Sequence, residues 1–154
     1  MVLVFFITSV FCIFVDQLTK SRAISFLTPD TNQIFIPGFI NLTLVKNTGM
    51  AFSLASGHIQ ITTWISLIVS FVLIYVFITN QPRQRIILYY IAFGFLLGGA
   101  CGNIIDRFYQ GFVTDFIEFS QFDFPVFNMA DIFIDIGIVL LLIYNFKYAK
   151  LRIK

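Results

Sequence analysis

Two aspartates, Asp115 and Asp131, have the residue type and spacing for carboxylate chemistry. They lie 16 residues apart, one in a strand-like segment and one at the start of an apolar run, so a short turn could bring them together. Two carboxylates held close together cannot both ionise cheaply, and such a pair shares a proton. The ionised member can then take a proton from water while the protonated member polarises a peptide carbonyl. Such a pair hydrolyses an amide without a covalent intermediate.

Other reactive residue types lack suitable partners. The single histidine, His58, has no nucleophile placed with it and is predicted to lie on the surface, and no GxSxG elbow occurs. A Ser and Lys pair is formally possible, but Lys20 and Lys46 fit better as charge partners or surface groups. Cys12 and Cys101 lie in apolar runs without CxxC spacing, which predicts buried apolar side chains and no metal site.

The composition predicts a membrane protein. Of 154 residues, 58% are hydrophobic and 12% are charged, against about 25% charged residues in a soluble domain. The net charge of +2 is too small to indicate a nucleic-acid partner. The predicted fold is an all-α membrane protein with four transmembrane helices in a single integral membrane domain, residues 1–154.

Each apolar stretch is judged by whether it can cross about 30 Å of hydrocarbon at 1.5 Å per residue. The first, Met1 to Val15, is short by itself, but we expect it to continue helically through Lys20, whose polar end reaches the headgroup layer. It lacks a basic leader region and an Ala-x-Ala-like exit, so we expect it to stay in the mature protein. The predicted helices span approximately residues 1–24, 59–79, 86–106 and 127–147.

Loop charges predict the orientation, because Lys and Arg are enriched on the cytoplasmic side. The link 80–85 and the tail 147–154 together carry six basic residues and no acid. The opposite side carries four basic residues with six acids. Both termini are therefore predicted to be cytoplasmic, with segments 21–58 and 106–127 outside.

The two outer segments have strand patterns. Residues 34–45 contain the turn signal Pro37-Gly38 and then alternate in polarity, which predicts a half-buried strand. Residues 112–119 also look extended. One face of that segment would carry Val113, Asp115 and Ile117. A small extracytoplasmic sheet would account for both patterns.

With this orientation, unusual polar residues from several parts of the chain fall at the outer interface. They are Asp16 and Lys20 in helix one, Asn103, Asp106 and Arg107 at the end of helix three, Asp115 in the next segment, and Asn128 and Asp131 at helix four. Ionisable residues near hydrocarbon are costly, which favours a functional site over wetted helix ends.

The polar residues around the two aspartates suit supporting roles. Asn103 and Asn128 can donate amide hydrogens to a substrate backbone or hold a carboxylate in place. We expect Arg107 to brace the loop that bears Asp115, and Asp16 to pair with Lys20 one helical turn away. A separate acid, Asp135, lies four residues after Asp131. It could share charge with the two aspartates or bond a neighbouring helix, and we expect the second.

Helix three carries small residues at a regular interval. Gly94, Gly98 and Gly102 recur every four residues, a spacing that lets a neighbouring helix approach closely in lipid. Close packing there would fix Asn103 and Asp106, which follow in the sequence.

Five runs of residues, taken in order, resemble the bacterial lipoprotein signal peptidases, also called signal peptidase II. The runs are residues 16–20 (DQLTK), 46–53 (KNTGMAFS), 98–107 (GGACGNIIDR), 113–116 (VTDF) and 127–131 (FNMAD). Each run alone is a weak signal. Five in order, on a chain of this length with four apolar stretches, form a specific match over nearly the whole chain.

The resemblance implies an aspartic endopeptidase of the bacterial inner membrane, with its active site near the periplasmic face. It would remove signal peptides from diacylglyceryl-modified prolipoproteins, cutting on the N-terminal side of the lipidated cysteine. The resemblance also implies an outer β cradle, a short periplasmic helix, membrane lipid as a partner and inhibition by globomycin-type cyclic peptides. It implies no metal or organic cofactor and no nucleic-acid partner.

Carried over by position, the resemblance makes Asp115 and Asp131 the catalytic dyad. The substrate-binding or supporting residues would be Asp16, Lys20, Asn47, Gly49, Gly102, Asn103, Asp106, Arg107, Asn128 and Ala130. Two residues depart from the family pattern: Asp135, where no acid is expected, and Cys101, where an aliphatic residue is more usual.

Two other classes of function are compatible with the residues alone. Intramembrane acids also mark proton relays and small transporters, although most of the acids here gather at one face. An interaction or scaffold protein with wetted helix ends would not need Asp115 and Asp131 to meet.

Overall fold

A computed structural model describes residues 1–28, 31–49, 57–82, 84 and 86–148. The last part of the second motif run, residues 50–53, lies outside the described residues. So do five of the six basic residues predicted to lie on the cytoplasmic side, namely Arg83, Arg85, Lys150, Arg152 and Lys154.

The prediction of four apolar helices is confirmed. The helices are α1 (Val2–Phe26), α2 (Ile59–Thr79), α3 (Ile87–Gln110) and α4 (Met129–Tyr148). All four are long and apolar enough to cross a membrane. Helix α3 ends at Gln110 rather than near residue 106, because Gly111 is the first residue to adopt the left-handed conformation, φ +75°, that closes a helix.

The predicted sheet is also present. Strands β1 (Asn32–Ile36), β2 (Ile40–Asn47) and β3 (Val113–Phe119) form an antiparallel sheet in that order. The turn between β1 and β2 contains Gly38 at φ +71°. The register places Val45 opposite Asp115 and Asn47 opposite Val113, so the end of β2 lies beside the first aspartate. Within the described ranges there is no short helix besides the four long ones.

Helix α3 lies at the centre of the bundle. In an apolar stretch of 18 residues of α3, 61% of the residues are buried inside the protein, against 17–22% in the corresponding stretches of the other three helices. The other helices pack around α3 and turn large apolar side chains outward, among them Phe11, Trp64 and Ile143. Such a surface suits lipid as solvent.

Glycines let α3 touch its two main neighbours. A Cβ atom at Gly98 would lie 2.6 Å from the Cβ of Cys12 on α1 and 2.8 Å from the carbonyl oxygen of Ser9. At Gly99 a Cβ would collide with the backbone of Ala130 on α4. Gly102 lies against the carboxylate of Asp16. The small residues therefore bring the polar ends of α1, α3 and α4 together.

The opposite end of the bundle is filled by aromatic rings. Phe5 of α1 stacks on Phe77 of α2 with ring centroids 4.2 Å apart, and the Tyr89 hydroxyl of α3 donates to the carbonyl oxygen of Phe77. Tyr144 of α4 packs against Tyr89. These aromatic contacts hold the helices together at one end of the bundle, and the polar residues lie together at the other end.

We expect Gly98→Ala to destabilise the protein by roughly 1–3 kcal/mol, because the added methyl group overpacks the α1–α3 contact. The measurement is the free energy of unfolding in detergent. Val72→Ile also adds one methyl group, but on a side chain that is 53% exposed, and it serves as the control. Equal stability of the two variants would contradict the close approach.

Candidate active site

Asn128 joins the two aspartates. Its side-chain Nδ2 donates to Asp115 Oδ1 at 2.6 Å, and its backbone N–H donates to Asp131 Oδ2 at 3.1 Å. Asn128 directly precedes α4, and its Oδ1 accepts the N–H of Asp131 at 3.2 Å. This reciprocal pair has the geometry of a helix capping box. The start of α4 therefore fixes one carboxylate and aims an amide at the other.

A second amide, the side chain of Asn103 on α3, holds the carboxylate of Asp131. Its Nδ2 donates to Asp131 Oδ1 at 2.8 Å. Its Oδ1 accepts from Lys20 Nζ at 2.9 Å and from Asn128 Nδ2 at 3.1 Å. Because two donors meet the oxygen, the amide nitrogen must face Asp131. Asn103 thus connects Lys20 to the aspartates.

Lys20 is buried between two carboxylates. Its Nζ lies 2.9 Å from Asp16 Oδ2 and 3.2 Å from Asp106 Oδ2. The lysine is 2% exposed and both acids are 0% exposed. With the bond to Asn103, the three ammonium hydrogens have three acceptors, so no donor of Lys20 is left without a partner.

The two acids that flank Lys20 also hold backbone. Asp16 Oδ1 accepts the N–H of Ala130 at 2.9 Å, at the first turn of α4, where a helix N-terminus favours negative charge. Asp106 Oδ2 accepts the N–H of Thr114 at 2.9 Å, directly before Asp115. One acid therefore positions the element bearing Asp131, and the other positions the element bearing Asp115.

The expected role of Arg107 was wrong. Its Nη2 donates to the carbonyl oxygen of Gly49 at 3.1 Å, which braces the chain after β2 and not the segment bearing Asp115. The latter is held by the preceding residue, Asp106, because that side chain points toward β3.

Asn47 is the second hydrogen-bond donor to Asp115. Its Nδ2 donates to Asp115 Oδ2 at 2.9 Å, and its Oδ1 accepts the N–H of Gly49 at 2.8 Å. Both oxygens of Asp115 therefore accept amide hydrogens, one from Asn47 and one from Asn128.

Asp115 has an altered acidity. Burial of this carboxyl, together with the nearby charge of Asp131, raises the pKa of Asp115 to about 7. The hydrogen bonds from Asn47 and Asn128 and the charge of Lys20 lower the pKa, but they only partly offset burial. Near neutral pH this carboxyl is thus able both to hold and to release a proton.

A cavity of about 940 Å³ opens at the two aspartates. Val113, Asp115 and Ile117 line it from one face of β3, and the segment 124–127 forms another wall. The cavity continues along α4, where its walls are mainly apolar. The α4 residues that line it are Asp131, Ile132, Ile134, Asp135, Ile136, Val139 and Leu140.

Asp135 differs from its expected role. Among the residues that the structure describes, it forms no hydrogen bond or ion pair, so the expectation that it bonds a neighbouring helix is wrong. It lies on the face of α4 that lines the cavity and is exposed there.

All the residues predicted from the sequence for this site lie in or beside it, Gly102 and Ala130 through their contacts with Asp16. Sequence reasoning missed one member, Gln17. Its Nε2 is within hydrogen-bonding distance of Asp16 Oδ2, Asp106 Oδ1 and the carbonyl oxygen of Gly102. The available signal was its position next to Asp16, in the first motif run. His58, by contrast, is exposed at the start of α2, as predicted.

Comparison with known proteins gives one consistent result. Residues 8–147 match the family model described as signal peptidase (SPase) II. The chain is 44% identical to a lipoprotein signal peptidase of Trichormus variabilis, over 93% of this chain and 89% of that protein. It is 36% identical to that of Enterococcus faecalis, over 94% and 88% of the two chains. A solved structure described as a bacterial membrane enzyme superposes with a TM-score of 0.83, at 34% identity, over 93% of this chain and 87% of that one.

The four apolar helices, the small sheet and the polar cluster define a multi-pass membrane enzyme. The chain belongs to the signal peptidase II family, an aspartic peptidase family whose members are named lipoprotein signal peptidases.

We expect Lys20→Met to destabilise the protein by about 3–5 kcal/mol, because it leaves two buried carboxylates without their shared cation. Unfolding in detergent measures the loss. Adding Asp16→Asn and Asp106→Asn to this variant should restore much of the stability, since the uncompensated charges are then removed. Lys46→Met, at an exposed lysine, is the matched control. A loss no larger than that of the control would contradict the compensation.

Proposed function

We propose that Asp115 and Asp131 are the catalytic pair of an endopeptidase that removes signal peptides from diacylglyceryl-modified prolipoproteins. The observation that carries the proposal is the position of Asn128, which donates to a carboxylate oxygen of each aspartate. Membership of the signal peptidase II family supports the choice of substrate. In this proposal residues 1–154 work as one integral membrane peptidase domain.

In the proposed mechanism the two aspartates share one proton. Asp131 is the third residue of α4, where a helix N-terminus favours the ionised form, and it accepts hydrogen bonds from the backbone N–H of Asn128 and from the side-chain amide of Asn103 on α3. Asp115, with a pKa of about 7, holds the proton. Asp131 takes a proton from water as its oxygen attacks the scissile carbonyl carbon, and Asp115 donates its proton to the carbonyl oxygen. As the C–N bond breaks, the leaving amine takes the proton from Asp131, and Asp115 regains its own from the hydroxyl of the tetrahedral intermediate.

The apolar cavity suits a substrate that reaches the aspartates from the lipid. Its walls along α4 are formed by Ile132, Ile136 and Val139, which match a hydrophobic signal peptide or an acyl chain better than water. We propose cleavage on the N-terminal side of the lipidated cysteine, with contacts to the substrate backbone from Arg107 and Asn47, which line the cavity. Globomycin-type cyclic peptides would bind in the same cavity.

For orientation we propose that both termini are cytoplasmic and that the aspartates lie near the periplasmic face of the inner membrane. The excess of Lys and Arg in 80–85 and 147–154 supports this arrangement. On the side of the aspartates, the tip of the sheet exposes Phe35 and Phe39, which would rest at the lipid surface.

The arrangement favours a peptidase over a proton relay. A relay needs ionisable groups across the whole membrane. Here the described cluster lies at one end of the bundle, while rings such as Phe5, Phe77 and Tyr89 fill the other end.

We expect Asp115→Asn and Asp131→Asn each to lower the rate of precursor cleavage at least a hundredfold, because each removes a group that transfers a proton. The assay follows a lipid-modified precursor after membrane insertion of each variant has been verified. Asp123→Asn, at an exposed acid outside the cavity, should cleave at the parental rate. Parental activity in either dyad variant would refute the assignment.

The pH profile tests the shared proton. Activity should fall as the pH rises through about 7, because Asp115 then loses the proton that it donates to the carbonyl oxygen. The hydrogen bond from Asn47 lowers the pKa of Asp115, so Asn47→Ala should move the alkaline limb of kcat/KM to higher pH. Asn41→Ala, on the same strand, should leave the limb in place. A limb that stays fixed or moves to lower pH in Asn47→Ala would disagree with this assignment.

A further inference from the structure

Asp135 is a polar residue of the cavity that the proposed mechanism does not use. Of the other polar residues that line the cavity, Asn47, Asn103 and Arg107 donate hydrogen bonds within the protein, and both catalytic aspartates accept them. Asp135 has no such partner among the described residues. An ionisable group inside a membrane span is costly, and when it is retained it marks a functional position by default.

The helix geometry sets the depth of this carboxylate. Asp135 lies four residues after Asp131 on the same helix face, which places it about 6 Å further along α4. The α4 residues that line the cavity around it, Ile132, Ile136 and Val139, are apolar. Asp135 therefore presents a hydrogen-bond acceptor inside an otherwise apolar stretch of the cavity.

The chemistry of the substrate limits what can meet this acceptor. A diacylglyceryl thioether carries ester oxygens and a sulfur but no hydrogen-bond donor, so it offers nothing to a carboxylate. A signal peptide offers backbone N–H groups, which are the same in every precursor, and hydroxyl groups, which are not. An extended peptide advances about 3.3–3.6 Å per residue, so about 6 Å corresponds to two residues from the scissile bond.

We propose that Asp135 is a specificity-determining residue that accepts a hydrogen bond from a Ser or Thr hydroxyl two residues before the scissile bond, on the signal-peptide side. The inference rests on the proposed function, because the position of the hydroxyl is counted from the peptide bond that Asp115 and Asp131 would cleave. It assigns to this enzyme a preference for hydroxyl-bearing precursors over apolar ones of the same shape. Because the acceptor is a carboxylate in an apolar wall, the preference is strong for a single hydrogen bond.

The experiment uses the full-length enzyme and two synthetic lipid-modified precursors that differ only in Thr or Val at that position. Thr and Val have the same shape, so the comparison isolates the hydroxyl. The parental enzyme should cleave the Thr precursor with a kcat/KM roughly tenfold higher. Asp135→Leu should bring the ratio to about one or below, because it keeps the bulk but removes the acceptor. Asp135→Asn should give an intermediate ratio, since an amide oxygen accepts more weakly than a carboxylate.

Asp123→Asn is the matched control, an acid removed outside the cavity, and it should keep the parental ratio. The inference is overturned if the parental enzyme cleaves both precursors equally, or if the Thr preference survives in Asp135→Leu. It is also overturned if Asp135→Leu slows both precursors by the same factor, since Asp135 would then act on the aspartates and not on the substrate. Failure of the parental enzyme to cleave either precursor is a different result, which refutes the proposed function.

Discussion

The charge of one buried ammonium must be compensated before this site can exist. Lys20 lies between Asp16 and Asp106 with almost no exposure, where the polar ends of α1 and α3 meet. Removing three charged groups from water costs several kcal/mol for each, which only short, well-directed contacts offset. Asp16 uses its other oxygen to accept the N–H of Ala130, and Asp106 Oδ2, which also faces Lys20, accepts the N–H of Thr114. The same contacts that compensate the lysine thus fix the two segments that carry the aspartates.

The hydrogen bonds that connect Lys20 to the aspartates run through side-chain amides. Asn103 accepts from the ammonium and donates to Asp131, while Asn128 donates to both aspartates and caps α4. Neutral amides can direct carboxylates without adding a cation that would hold both of them ionised. This choice agrees with a pKa of about 7 at Asp115, where burial outweighs two hydrogen bonds.

The network also requires very short distances between helices. Gly98 and Gly102 let α1 approach α3, and Gly99 lets α4 approach from another direction. In lipid such contacts have no hydrophobic drive of their own, so close packing and internal hydrogen bonds supply the association. The sheet then closes over the polar end, and its second strand adds Asn47 to Asp115. The site is therefore assembled from α1, α3, α4, β2 and β3.

Much of this protein was determined by its sequence. Hydropathy over about 20 residues predicts a span because a membrane requires that length, and the four helices were found with small errors at their ends. The alternation in β2 and β3 predicted the sheet, and it also grouped Val113, Asp115 and Ile117 on the face that lines the cavity. The polar residues at the helix ends stood out because ionisable groups near lipid are rare.

Only the tertiary structure decided which of those polar residues meet. Arg107 and Asp106 are neighbours in sequence, yet successive residues on a helix point in different directions, so one holds Gly49 and the other Thr114. Gln17 gave no strong signal because an amide matters only when acceptors surround it. Asp135 was expected to contact a helix and faces the cavity instead, because the packing of α4 on α3 turns another side of the helix inward. Local pattern specifies an element and its faces, whereas the partner of each polar group depends on distances between elements that are far apart in sequence.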